Sequence, residues 1–223
     1  MPQLTKARVL EEAVALLDDV GLDALTMRKL AERLGVQAGA IYWHYENKQA
    51  LLGAMAEQML AGCVVEGTPD PARWAEQTTA QMIALRRALL AHRDGGRVFA
   101  GTFVAAPNTL GLADAIVGTL RAVGLPPKDA AWTAMSMIHF VIGFVVEEQA
   151  AAGLDVRTFL SSLSDARFAH VSATAAHFTS TDYEARFAYG LDLMLGGTQR
   201  TIDRLTPAAT KAGTSRARRP KRG

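Results

Sequence analysis

Eight side chains between Arg28 and Lys48 have the chemistry to read a nucleic-acid duplex. Gln37 can bond base edges, the methyls of Ala38 and Ala40 can meet thymine methyls, and Tyr42 and His44 can bond phosphates. Trp43 suits either a DNA contact or a partly buried core position. Arg28 can reach a guanine edge or a phosphate. Lys48 stands where its ammonium and a helix N-terminus together can hold a phosphate.

Those residues need elements to aim them, and the spacing supplies them. Thr26 is a plausible N-cap for a helix carrying Leu30, Ala31 and Leu34, and Gly35 permits a tight turn. Ala31 is small enough for close helix packing. A short segment from Ala38 to His44 follows, anchored from behind by Val36 and Ile41. Asn47 can cap a further helix with Leu51, Met55, Met59 and Cys63 on one face. Upstream, Val9, Leu10, Ala13, Leu16, Leu17 and Val20 recur at helical steps until Gly21. Any helical hairpin contains a glycine turn and an alanine, so spacing alone leaves a plain hairpin open beside a helix-turn-helix.

Beyond the turn-rich stretch Gly67–Pro71 the periodicity stays helical. Helices are expected over 72–91, about 109–123, 128–152 and 183–205, with breaks at Asp94–Gly96, Pro107–Asn108 and Pro126–Pro127. Residues 128–152 are apolar nearly all round, so that helix should be buried on every side. Residues 153–181 are less regular. No alternating strand pattern and no internal repeat is present, so the expected fold class is all-α. Glu147 and Glu148 beside His139 suggest an acid–base set, but His139 and Glu147 lie about two helical turns apart. No nucleophile motif, phosphate loop or metal-spaced cluster accompanies them, which argues against an enzyme.

Hydrophobic residues make up 49% and charged residues 21% of the 223 residues, an ordinary globular balance. The net charge of +2 conceals an uneven distribution. Residues 211–223 hold six Lys/Arg and no acid, which leaves 18 of the 24 bases for residues 1–210 against all 22 acids, a net of −4. Attraction to DNA must therefore come from local placement, while the basic tail is expected to be disordered, either a solvated end or an arm touching phosphates. The one cysteine, Cys63, excludes an intramolecular disulfide and is expected to be a small buried residue late in a helix. Apolar runs such as Val141–Val146 are too short to cross a bilayer, and Lys6, Arg8 and two Glu interrupt any leader pattern. A cytoplasmic protein without membrane association is expected.

From Val9 to Met59 the chain resembles the tetracycline repressor family, through GLDALTMRKLAERLGV and IYWHYENKQALL. The likeness resumes at LLAHRDGGRVFAGT (Leu89–Thr102) and IHFVIGFVVEEQ (Ile138–Gln149), and weakens at 64–80, 104–131 and 153–181. The resemblance implies a homodimer that binds palindromic double-stranded operator DNA. It assigns 1–47 to a three-helix DNA-binding domain, 48–66 to a connecting helix, 67–206 to a regulatory domain and 207–223 to the tail. Helices at about 128–152 and 183–205 would pair with their symmetry mates in a four-helix bundle. DNA contacts carry over to Arg28, Ala40, Tyr42, Trp43, His44 and Lys48, with Gln37 at the helix start. Ala38 and Gly39 replace the family's base-reading glutamine and proline, so the operator should differ, by about 1–3 kcal/mol of discrimination at that base.

The same resemblance places drug and magnesium contacts at Val64, Gln81, Leu85, Phe99, Thr102, Phe103, His139 and Glu147. Thr102, His139 and Glu147 are kept. Phe99 replaces the metal-ligating histidine, Phe103 an arginine and Val64 a drug-binding histidine. Val64, Met82, Leu85, Phe99, Phe103, Met135 and Phe144 would suit an apolar effector, oriented by Gln81, His139 and Glu147; alternatively the two phenylalanines simply fill space. No cofactor and no metal is expected. The implied function is a transcriptional repressor released by a small effector other than tetracycline–Mg²⁺. A hinge at the fourth helix, moved by Arg93–Thr102, would couple the two sites. An activator or a ligand-independent DNA-binding regulator is the alternative.

Overall fold

The computed structural model describes residues 4–102, 105–151, 161 and 166–205. Among these, all regular structure is helical. The expected disorder of the basic tail, and Phe103, lie outside the described residues.

Helices α1 (Lys6–Val20), α2 (Met27–Leu34), α3 (Ala38–Tyr42) and α4 (Lys48–Met59) build a small N-terminal head. Its core joins Val9, Ala13 and Leu17 of α1 to Leu30 of α2, Ile41 of α3 and Leu51 and Met55 of α4. The caps expected at Thr26 and Asn47 are present, and Thr5 adds a third. Thr5, Thr26 and Asn47 side chains accept from Arg8, Lys29 and Ala50 N–H groups, satisfying donors that a helix start leaves free. On the head's reverse side Arg33 of α2 binds both Glu12 and Asp19 of α1.

Helices α5 (Trp74–Leu90), α6 (Gly95–Ala100), α7 (Pro107–Ala122), α8 (Pro127–Ala150) and α11 (Tyr183–Leu205) form the second unit. Short turns α9 (Ala169–Ala173) and α10 (Ala175–Phe178) precede α11. The core runs through Met82, Leu85 and Leu89 of α5, Leu112 and Ile116 of α7, Met137, Val141 and Val145 of α8, and Phe187 and Leu191 of α11.

Two expectations are corrected. The connecting helix does not reach residue 66: α4 ends at Met59, because tight turns close from Gln58 to Ala61 and from Leu60 to Cys63, with Gly62 at φ 75°. Cys63 is buried, but in this turn rather than in a helix, and burial pushes its thiol up to about 11. Nor is α8 buried on every side. Ala130, Ala134, Met137, Val141 and Val145 face the core, while Trp132 is 64% exposed and Met135 and His139 also face outward. By length and composition α8 could also cross a membrane, but its apolar inner face is already packed on α5, α6 and α7.

Candidate nucleic-acid interface

Backbone geometry shapes the turn between α2 and α3, with Leu34 and Val36 packed against the head's core. Gly35 adopts the left-handed conformation (φ 67°, ψ 32°), and Val36 N–H bonds the Ala31 carbonyl at 3.0 Å. A side chain at that φ would be strained, so glycine sets the angle between the two helices. Buried Ala31 allows them to approach.

Ile41 is fully buried and Tyr45 nearly so, its hydroxyl donating to the Lys6 carbonyl at 3.3 Å. These two residues pin α3 from behind. One result is decisive for its outer end: Trp43 is 90% exposed and Tyr42 is half exposed. Trp43 is therefore a surface residue and not the partly buried core position that its type also allowed. Gln37 is exposed, while Ala38, Ala40 and His44 are partly exposed on the same short helix and its end. Arg28 extends from α2 and, among the described residues, pairs with Glu32 on its own helix at 3.0 Å, a surface pair worth little. Lys48 differs from the simplest expectation. Its ammonium donates to the Leu22 carbonyl at 3.3 Å and so ties α4 to the α1–α2 turn in the unbound chain.

The head is joined to the second unit by a polar latch that residue types alone did not reveal. Asp18 accepts from Arg93 N–H at 2.9 Å and meets His92 Nδ1 at 3.0 Å. Asp94 accepts from Leu22 N–H at 2.8 Å, and Arg97 binds Asp23 through two bonds of 2.7 and 3.1 Å. The Arg97 guanidinium holds the Asp23 carboxyl below its ordinary range. Gly21 is required on both counts: its φ is 78°, and a Cβ there would stand 2.9 Å from the Asp94 carboxylate. The apolar part of the joint is α6 itself. Val98 is buried in the head's core, Phe99 touches both cores, and Gly96 lets α6 lie against Val145 and Val146 of α8.

A second joint runs from α4 to α7. Ala106 offers no capping side chain, and Pro107 opens α7. The Glu57 carboxylate supplies the missing acceptor, taking Asn108 N–H at 2.6 Å and Thr109 N–H at 3.0 Å, with the Thr109 hydroxyl at 2.9 Å. A negative charge at a helix start is also favoured by the helix dipole. The sequence signal was available in principle: a proline-led helix without its own cap needs an acceptor from elsewhere.

The residues expected around an effector do not converge on one cavity among the described residues. His139, Phe144 and Glu147 line a groove of about 720 Å³ between α8 and residues 178–186, walled by Phe140, Phe178 and Tyr183. Val64 and Gln81 line a separate groove of about 390 Å³ beside α7. Gln81 is also structural, since its amide bonds the Cys63 carbonyl and the Val65 N–H. Met82 and Leu85 are packed solidly into the core, and Met135 points outward from α8. Thr102 bonds the Phe99 carbonyl at 3.0 Å near the head joint. Among the described residues no group of three or more His, Cys, Asp or Glu could hold a metal ion.

Comparison with known proteins agrees with this layout. The model of the bacterial regulatory proteins, tetR family, matches residues 9–55, and that of the tetracyclin repressor-like C-terminal domain matches residues 68–202. The class C tetracycline repressor protein of Escherichia coli is 40% identical over 207 residues, covering 90% of this chain and 93% of that protein. A possible TetR family transcriptional regulator from Streptomyces coelicolor A3(2) superposes with a TM-score of 0.80 at 45% identity, over 88% of this chain and 100% of the other. The Streptomyces coelicolor TetR family protein ActR, in complex with actinorhodin, superposes with a TM-score of 0.80 at 31% identity, over 90% and 99%.

Proposed function

The chain belongs to the tetR family of bacterial regulatory proteins, transcriptional regulators rather than enzymes, and we propose that it is a homodimeric repressor released from a palindromic operator by a small apolar effector. The observation that carries the DNA half is the outward presentation of Gln37, Tyr42 and Trp43 on a short helix pinned by Ile41 and Tyr45. Two such helices on a symmetric dimer enter successive major grooves about 34–36 Å apart.

The dimer itself is supported by exposed apolar side chains at helical spacing. Trp132 and Met135 on α8, and Tyr189 and Leu193 on α11, are all exposed. The two helices that carry them pack on each other, with Gly190 letting α11 approach the Phe140 ring. Pairing this face with its copy makes a four-helix bundle and buries both stripes.

Selection of a random duplex library by the full-length chain is therefore expected to return a two-fold symmetric site. Trp43→Ala should lower affinity for it by about tenfold or more, as loss of a close DNA contact does. Lys48→Ala should weaken all duplexes alike and reduce the slope of log K against log salt by about one. A recovered site with no symmetry, or affinities unchanged in both variants, would overturn the reading.

Coupling between effector and operator follows from the two joints. The α6 segment shares its side chains with both cores, and Glu57 fixes α4 to the start of α7. A ligand that shifts α6 or α7 therefore turns the head, and by linkage DNA weakens that ligand's binding equally. The groove holding His139, Phe144 and Glu147 has the volume and aromatic walls of a small-molecule site.

The donor set does not fit the tetracycline–Mg²⁺ complex. Phe99 stands where the resemblance places the metal-ligating histidine, and a hard cation needs oxygen or nitrogen donors. Titration calorimetry with tetracycline is expected to show no magnesium-dependent heat. Micromolar binding that requires magnesium would refute this.

A further inference from the structure

We infer that residues 211–223 are a second, sequence-independent DNA contact, and that they hold a duplex other than the operator on which the heads sit. The operator enters through the repressor reading; the contact itself follows from where the chain leaves the fold and from its charge.

The course of α11 sets the position. Near its start Glu184 accepts from Arg86, in the half of α5 that leads to the head. Further along, Gln199 accepts from the Trp74 indole N–H at 3.2 Å, at the opposite end of α5. Helix α11 therefore runs away from the head. The 17 residues of α5 put Trp74 about 25 Å from the head joint at His92 and Arg93, and six more residues of α11 carry Leu205 about 9 Å past Gln199. The chain thus leaves the second unit about 35 Å from the joint. At full stretch Lys211 lies no more than about 22 Å and Arg216 about 40 Å from Leu205. The tail could reach the operator only by lying taut along the whole second unit, and any shorter path leaves its charges at the far end. In a dimer whose two heads share one duplex, both tails leave on the side away from it.

Composition names the partner. The 13 residues hold six Lys/Arg and no acid, and four of the six are Arg, whose planar fork matches phosphate oxygens. Their apolar side chains are the methyls of Ala212 and Ala217, so nothing there can anchor in a bilayer or stack on a base. What remains is contact with a phosphate backbone, which gives affinity without sequence. The rest of the chain carries a net charge of −4, so this segment concentrates the positive charge that the body lacks. A dimer seated on its operator meets neighbouring duplex at high local concentration, and two tails offer it twelve bases.

The test compares the full-length protein with a full-length variant carrying Lys211→Gln, Arg216→Gln, Arg218→Gln, Arg219→Gln, Lys221→Gln and Arg222→Gln together. Immobilised operator duplex is loaded with protein and offered a labelled duplex of unrelated sequence. The parent should capture the second duplex and release it as salt rises, whereas the variant should capture about tenfold less or lower still. The variant should keep the parent's operator affinity and melting temperature. On the unrelated duplex alone, its slope of log K against log salt should be shallower by several units, up to about 5 if all six bases displace counterions. Several outcomes would overturn the inference: no second duplex held by the parent, or equal capture by the variant. So would an operator salt slope that falls by several units in the variant, which places the tail on the same duplex. A variant that melts lower would place the tail on the acidic body, and a parent that prefers phosphatidylserine vesicles to the second duplex would make the partner a membrane. A chain that selects no operator defeats the repressor reading alone, because the slope on unrelated duplex still reports on the tail.

Discussion

Leu193→Glu is expected to yield a folded monomer whose operator affinity is lower by about 10²–10⁴-fold, the loss that follows when two linked binding heads become one. Leu193 is 58% exposed on α11. In the proposed bundle it is buried against the copy, where an unpaired carboxylate is very costly. The head, with its separate core, should keep its fold. Sedimentation would report the mass and fluorescence anisotropy with duplex DNA the affinity. Leu110→Glu is the control, because Leu110 is also exposed but lies on α7, away from the stripe. A Leu193→Glu protein that sediments as a dimer and binds operator normally would dispose of this interface.

Arg86→Met is expected to destabilise the fold by about 3–5 kcal/mol, the range for breaking a buried ion pair by removing one partner. The Arg86 side chain is 5% exposed. It binds both oxygens of Glu148 at 2.8 and 3.0 Å, reaches Glu184 at 2.8 Å, and its guanidinium lies 5.0 Å from the centre of the Phe187 ring. One side chain thus ties α5 to α8 and α11. Removing it strands the Glu148 carboxylate in an apolar surrounding, whereas Glu184 remains solvated and loses little. The Arg86→Met/Glu148→Met pair should recover most of the loss, since two flexible apolar chains can fill the same space. Denaturant midpoints at a fixed protomer concentration would measure both, because dimer stability depends on concentration. An Arg86→Met protein within about 1 kcal/mol of the parent would show that the pair carries little.

Much of the head was legible in the sequence because its determinants are local. Thr26, Asn47 and Gly35 act on backbone groups within a few residues of themselves, so their types and positions suffice to predict the caps and the turn. The apolar three- and four-residue steps of α1 and α2 likewise name their own buried faces. Sequence was less informative where a residue serves a distant partner. Glu57 resembles any surface acid on an amphipathic helix, yet its partners are 51 and 52 residues further on. Asp18 and Asp94 belong to the same class, since each bonds a backbone N–H more than 70 residues away, Asp18 that of Arg93 in the α5–α6 turn and Asp94 that of Leu22 in the α1–α2 turn.

The effector residues show the sharpest division. Composition and periodicity established an all-helical chain, a tight helical hairpin in its first part, and a second unit rich in apolar helices, while the family resemblance supplied the candidate reading residues. They did not establish which way each helix of that unit is turned. Met82 and Met135 are chemically identical, but α5 turns one into the core while α8 turns the other to the exposed stripe. Rotation of a helix about its axis is set by the summed packing of all its neighbours, not by any one residue. Only the tertiary structure could therefore separate the groove of His139 and Glu147 from that of Val64 and Gln81. The sequence by itself determined the caps and the turn of the head, because local backbone chemistry specifies them. The joints and the grooves were decided by long-range packing.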